Sequence, residues 1–226
     1  MTIRRLRGPY NQRHHHRLCR RGRLRRCQCR NGRFLETRLT TKGLPVFYKD
    51  ENLALFIDGP NFYYTARALK FDVDYKRLLE AFQTKGRLLR ASYFTPLADT
   101  DGHVAIRPLV DWMQYNGWNV VIKPAKVLEG EDGRKRIKGN TDIEMAVEVI
   151  KLAPAIAHAV LFTGNRDFAP LVGFLQERGT RVTVVSSIRT QPPMIADDLR
   201  RAADAFVELD TLRDAIARKA RDGAAA

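Results

Sequence analysis

Three aspartates stand where acids could act together, namely Asp58, Asp142 and Asp167. Asp58 closes the apolar run Leu53-Ala54-Leu55-Phe56-Ile57 and is followed by Gly59-Pro60-Asn61. Asp167 lies in Thr163-Gly164-Asn165-Arg166-Asp167-Phe168, directly after a second apolar run. Asp142 lies in Lys138-Gly139-Asn140-Thr141-Asp142-Ile143-Glu144 and opens a helical pattern. Carboxylates gathered at one place repel one another unless a cation neutralises them. Hard oxygen donors of this kind suit Mg²⁺ or Mn²⁺. An ion held there could polarise a phosphodiester and activate a water for in-line attack.

Each acid also has a plain structural use open to it. Asp58 could cap a turn, and Asp167 could be the N-cap of its helix. Asp142 in a first helical turn is favourable to the helix dipole. Thr141 and Glu144 have the spacing of a capping box. Glu148 and Lys151 share a helix face with Glu144 and read as a solvated stripe. The coincidence of three acids behind three strand or hairpin ends favours a shared site.

The elements that would position these acids follow from the hydrophobic pattern. Residues 53–57 have no polar alternation, as expected of a strand buried on both faces. Strands are expected at 88–94, 118–122, 157–163, 181–186 and 205–209, and a hairpin at 126–137 around Glu131-Asp132-Gly133. Helices are expected at 62–69, 74–85 with Asp74 as N-cap, 104–116, from Asp142 to 152, 167–178, 195–203 and 211–221. Residues 95–102 read as a loop. Strands alternating with helices at this spacing predict α/β architecture, a Rossmann-like parallel sheet with helices on both faces. In open sheets of that class the ligand crevice lies at the C-terminal ends of the strands.

The formal net charge is +15, but it is unevenly spread. The first fifty residues hold 15 of the 40 Lys and Arg and 2 of the 25 acids, leaving 25 and 23 for the rest. Residues 1–46 therefore read as a basic, poorly ordered segment that cannot offset its ordering entropy by burial. Three readings of it compete. It could be a phosphate-binding arm, a targeting peptide, or an over-extended reading frame whose start is Val46. Cys19, Cys27 and Cys29 lie there beside His14-His15-His16, with spacing that is a weak signal for zinc. The remaining chain has no cysteine, which fits a reducing cytosol. No run of about 18 apolar residues suggests a membrane span. The expected organisation is residues 1–46, a main domain at 47–210, and a helix and tail at 211–226.

Phe56-Ile57-Asp58-Gly59-Pro60-Asn61-Phe62, Lys138-Gly139-Asn140-Thr141-Asp142-Ile143 and Thr163-Gly164-Asn165-Arg166-Asp167-Phe168-Ala169-Pro170-Leu171 occur in that order. Together they resemble the NYN domain, LabA-like branch, within the PIN-like nuclease superfamily. Leu199-Arg200-Arg201-Ala202-Ala203-Asp204-Ala205-Phe206 resembles the closing helix and strand of that family. The resemblance implies a PIN-like fold and a divalent-metal ribonuclease site formed by Asp58, Asp142 and Asp167. It also carries Asn61 and Glu148 into the site, Glu148 as a metal ligand. Two departures stand out. Asn165 occupies a position where the family motif has an acid, and Glu148 stands where it has a shorter one. Residues six apart on a helix face different ways, which sets Glu148 apart from Asp142.

The reading is therefore a cytoplasmic, bacterial, Mg²⁺- or Mn²⁺-dependent endoribonuclease. Asn61 and Asn165 would orient ligands or substrate, and Lys138 would meet a backbone phosphate. The expected partner is RNA or another nucleic acid, with a homodimer as the assembly considered and no membrane. The rivals are a module that binds RNA or a nucleotide without cutting it, and a metal-dependent phosphatase.

Overall fold

In the computed structural model, residues 46–98, 106–129 and 135–219 are described. The basic segment with its cysteines and histidines, the hairpin turn at 131–133 and the extreme C-terminus lie outside them. Strand β1 (Asn52–Asp58) is central in a seven-stranded sheet. On one side of it lie β2 (Arg87–Ala98), β3 (Asn119–Glu129) and β4 (Lys135–Lys138). On the other lie β5 (His158–Phe162), β6 (Arg181–Ser186) and β7 (Ala205–Glu208). The order is β4-β3-β2-β1-β5-β6-β7, parallel except for the β3–β4 pair.

The unbroken apolar run in β1 has a simple cause. Alternate side chains of a strand face opposite sides of the sheet. Leu53, Leu55 and Ile57 enter one core, packed with Phe62, Leu78, Phe82 and Met113. Ala54 and Phe56 enter the other, with Met145, Val149, Val172 and Leu199. The first core lies under α1 (Gly59–Ala68), α2 (Tyr75–Gln83), α3 (Arg107–Tyr115) and α7 (Arg213–Ile216). The second lies under α4 (Asp142–Leu152), α5 (Ala169–Gln176) and α6 (Asp197–Ala202). Leu55, Phe56 and Ile57 are fully buried, and burial of each such side chain contributes about 1.5–3 kcal/mol.

Several boundaries differ from expectation for local reasons. The strand expected at 118–122 and the first arm of the hairpin are one strand, β3, which passes straight through Pro124. β2 continues to Ala98, into the stretch read as loop. Pro108 and Pro170 lack an N–H and fit only a first helical turn, so α3 starts at Arg107 and α5 at Ala169. Residues 166–168 form a 3₁₀ turn ahead of α5. The terminal helix is far shorter than the expected 211–221. A 3₁₀ turn at Leu209–Leu212 leads into α7, which ends at Ile216 because Ala217 is extended and bridges Val73. The Arg77 guanidinium donates to the carbonyls of Asp214 and Ala217 and satisfies that helix end. No helix among the described residues is long and apolar enough to cross a membrane.

The chain runs outward from β1 through β2 to β3 and then returns to β5 on the other side of β1. That reversal makes a switch point between β1 and β5. Crevices outside the C-terminal strand ends at such a point are the usual ligand sites of open α/β sheets.

Candidate active site

Asp58 ends β1 at this crevice, and Thr163 to Asp167 leave β5 across from it. Asp58 is also the N-cap of α1, where its Oδ1 accepts the Asn61 N–H at 3.3 Å. Its Oδ2 accepts the Thr163 hydroxyl at 3.0 Å. Asn61 reaches back over the crevice, its Oδ1 accepting the Gly164 N–H at 3.0 Å. Both strand ends are thus tied by side chains of the Asp58-Gly59-Pro60-Asn61 turn. Two glycines let other neighbours come close around these strand ends. A Cβ at Gly59 would lie 2.7 Å from the Tyr93 hydroxyl and the Phe94 carbonyl, and one at Gly164 would overlap the Met194 carbonyl.

Asp142 begins α4, and its carboxylate is held from two directions. Its Oδ2 accepts from Asn140 Nδ2 and from Asn165 Nδ2, each at 2.8 Å. Asn140 Oδ1 in turn accepts the Asp142 N–H at 2.6 Å. Asn165 Oδ1 accepts the Asp167 N–H at 3.1 Å, so Asn165, not Asp167, caps the turn after β5. The Asn165 N–H donates to the Thr163 hydroxyl oxygen at 3.2 Å. A continuous chain of hydrogen bonds therefore joins Asp58, Thr163, Asn165 and Asp142.

The electrostatics of the pair are unfavourable by themselves. Burial raises the Asp58 carboxyl above its ordinary pKa, hydrogen bonds from Asn61 and Thr163 oppose the rise, and the Asp142 charge adds to it. Tyr93 lies against the same corner. Burial pushes its phenol up to about 12, with the Tyr75 hydroxyl opposing and the Asp58 charge adding.

The remaining acids are placed differently. Asp167 is exposed beside the turn that Asn165 caps. Glu148 accepts from Asn119 Nδ2 at 3.2 Å and stands 4.0 Å from Arg90. Glu144 does not complete the expected capping box, since Thr141 makes no side-chain cap bond. Lys123 instead pairs with Glu144 at 2.7 Å and holds its carboxyl below the usual range. The Lys138 side chain lies outside the described residues. Thr163 and Asn140 are the participants that sequence reasoning missed. Both stand within the motifs already quoted, but only the tertiary arrangement gives their polar atoms a carboxylate to hold.

The donor set fits a hard divalent cation in part. Asp58 and Asp142 supply carboxylates of the type that binds Mg²⁺ or Mn²⁺, whereas the amide oxygens of Asn61, Asn140 and Asn165 already accept backbone N–H groups. Among the described residues no three His, Cys, Asp or Glu side chains are close enough to hold one ion together. Mg²⁺ commonly retains several waters and needs only one or two carboxylates.

Comparison with known proteins bears on the fold and the family. The family model described as the NYN domain matches residues 52–210. The low amplitude and bright protein LabA of Synechococcus elongatus is 29% identical over 178 residues, 77% of this chain and 92% of that protein. A crystal structure of a protein of unknown function from Vibrio parahaemolyticus is similar with a TM-score of 0.59 and 25% identity. That match covers 74% of this chain and 96% of the other.

Proposed function

Because the chain belongs to the NYN domain family, we propose that it is a divalent-metal-dependent endoribonuclease. The observation that carries the reading is the pair Asp58 and Asp142, linked through Thr163 and Asn165 at the switch point of the sheet. Two like charges in a partly buried crevice call for a cation. Asp58 and Asp142 would hold it, and the exposed Asp167 would approach from the far rim. A bound Mg²⁺ or Mn²⁺ would supply charge neutralisation at the phosphodiester and lower the pKa of a water. Thr163 and Asn61 keep Asp58 at the strand end, and Asn140 and Asn165 hold Asp142 facing it. The expected product carries a 5′-phosphate.

A second reading is a module that binds RNA or a nucleotide without cutting it. It is favoured by Asn165, which offers a neutral amide where the family motif offers an acid. Incubation of the full chain with labelled RNA in Mg²⁺, in Mn²⁺ and in EDTA tests both. Cleavage that needs the metal and is lost in Asp58→Asn supports the nuclease. Binding without cleavage in any metal supports the module, and turnover of only a small phosphoester moves the assignment to a phosphatase.

A further inference from the structure

A cavity of about 520 Å³ opens beside Asp58. Tyr63 and Tyr64 of α1, Tyr75 of α2 and Tyr93 of β2 line it. Gly59 and Gly139 also line it, so its wall includes the turns that carry Asp58 and Asp142. Tyr75 and Tyr93 meet edge to face at 5.6 Å, and Tyr63 and Tyr64 do so at 5.5 Å. Tyr63 is 48% exposed and Tyr64 62%, so two large rings stand in water at the mouth of the cavity.

A mostly apolar chamber walled by neutral aromatic rings is poorly suited to a phosphate and well suited to a flat, neutral ring with polar edges. The acidic crevice next to it has the opposite character. We propose that the cavity takes an unpaired nucleobase while the adjoining phosphodiester lies at Asp58 and Asp142. The proposal rests on the ribonuclease reading and deepens it. Bases in an A-form duplex are stacked on one another and present no free face to a tyrosine, whereas splayed bases in single strands do. Stacking of this kind tolerates any base.

The test is fluorescence anisotropy of a labelled single-stranded RNA with the full chain, in EDTA and at about 0.2 M salt to suppress backbone attraction. Tyr64→Ala and Tyr63→Ala should each raise Kd about 5–100-fold, the loss expected for one stacked base. Tyr64→Phe and Tyr63→Phe should bind nearly as the native chain does, because the ring is kept. Melting temperatures of all four should match the native protein, since both rings are exposed. Duplex RNA of the same sequence should compete poorly. Unchanged Kd in the alanine variants, or duplex or free mononucleotide competing as well as the single strand, would overturn the proposal. A parallel cleavage assay in Mn²⁺ separates the two ideas. Tyrosine-dependent binding with no cleavage keeps the pocket and discards the ribonuclease, and cleavage indifferent to the alanine variants does the reverse.

Discussion

At the N-terminal edge of the sheet, Arg181 donates to Glu51 at 2.6 Å and to His158 Nδ1 at 3.3 Å. His158 Nε2 then donates to Thr183 at 2.7 Å, and the Phe47 ring stacks on the imidazole at 5.2 Å. Opposite charges are paired there and covered by aromatic rings. At the C-terminal edge, Asp58 and Asp142 are brought together through neutral groups, a hydroxyl and an amide. One edge uses its polar residues to satisfy charge, and the other sets two like charges near one another, with no ion pair to either among the described residues. Like charges held close together in this way reduce stability.

The largest contrast should come from substituting one residue at each edge. Asp58→Asn should lower RNA cleavage about 10²–10³-fold or more, the scale for losing a group that stabilises charge in the transition state. The same change should leave the metal-free protein as stable or raise its melting temperature. The sign follows from the raised pKa of Asp58. The fold favours the protonated form, so stability is full below the ordinary carboxylate range and falls as pH rises through the raised value. Added Mn²⁺ should stabilise the native protein by mass action and not the variant. Arg181→Gln should show the opposite profile, with cleavage retained and stability lower by about 1–3 kcal/mol. Equal loss of cleavage from both substitutions would erase the distinction between the edges.

Asn165→Asp sharpens the contrast from within the crevice. The amide donates to Asp142 and accepts from the Asp167 N–H. A carboxylate keeps the second bond and turns the first into repulsion. Metal-free Asn165→Asp should melt lower, by about 2–4 °C for each kcal/mol lost in a chain of this size. With a cation present the added charge becomes favourable, and half-maximal cleavage should need less metal than in the native protein. If the metal requirement is unchanged, Asn165 does not face the ion.

A pH titration followed by thermal melting probes the paired edge. Burial, with the Arg181 charge adding, lowers His158 to about 4. Its folded pKa lies below the ordinary value of 6.5, so its contribution is full above that value and is lost as pH falls towards about 4. Stability should therefore decline across that window in the native protein. His158→Gln should flatten the decline. An equal slope in both would assign the acid sensitivity to other groups.

The two edges were not equally legible in the sequence. Asp58 and the Thr163-to-Asp167 turn could be placed because each follows an apolar run whose length and termination define a strand end, and Asp142 because it opens a helical pattern. The hydrogen-bond chain between them could not, because it depends on the orientation of a threonine and an asparagine across 105 and 23 residues of sequence separation. The tyrosine cavity was hidden for a related reason. Tyr63 and Tyr64 read as helix and Tyr93 as strand, and their convergence needs β2 to lie beside β1. The Glu51–Arg181–His158 cluster joins residues that begin neighbouring strands, and no local pattern links them. The terminal helix was overextended because local propensity took no account of the bridge between Val73 and Ala217.

The smallest expected effect concerns where the folded domain begins. Val46 offers its carbonyl to Arg181 at 3.2 Å, Phe47 meets Phe82 at 5.6 Å as well as His158, and Arg181 lies over the Tyr48 ring at 4.6 Å. These contacts belong to the paired edge. The charge excess of the preceding residues and their few spaced apolar side chains offer little burial. Removing residues 1–45 should therefore leave the melting temperature within error. Removing residues 1–48 should lower it, because Phe47 and Tyr48 leave the Phe82, His158 and Arg181 side chains uncovered. A partly buried aromatic ring lost in this way costs about 1–3 kcal/mol. If the first truncation is already as damaging as the second, the paired edge extends into the basic segment and its boundary must be moved upstream.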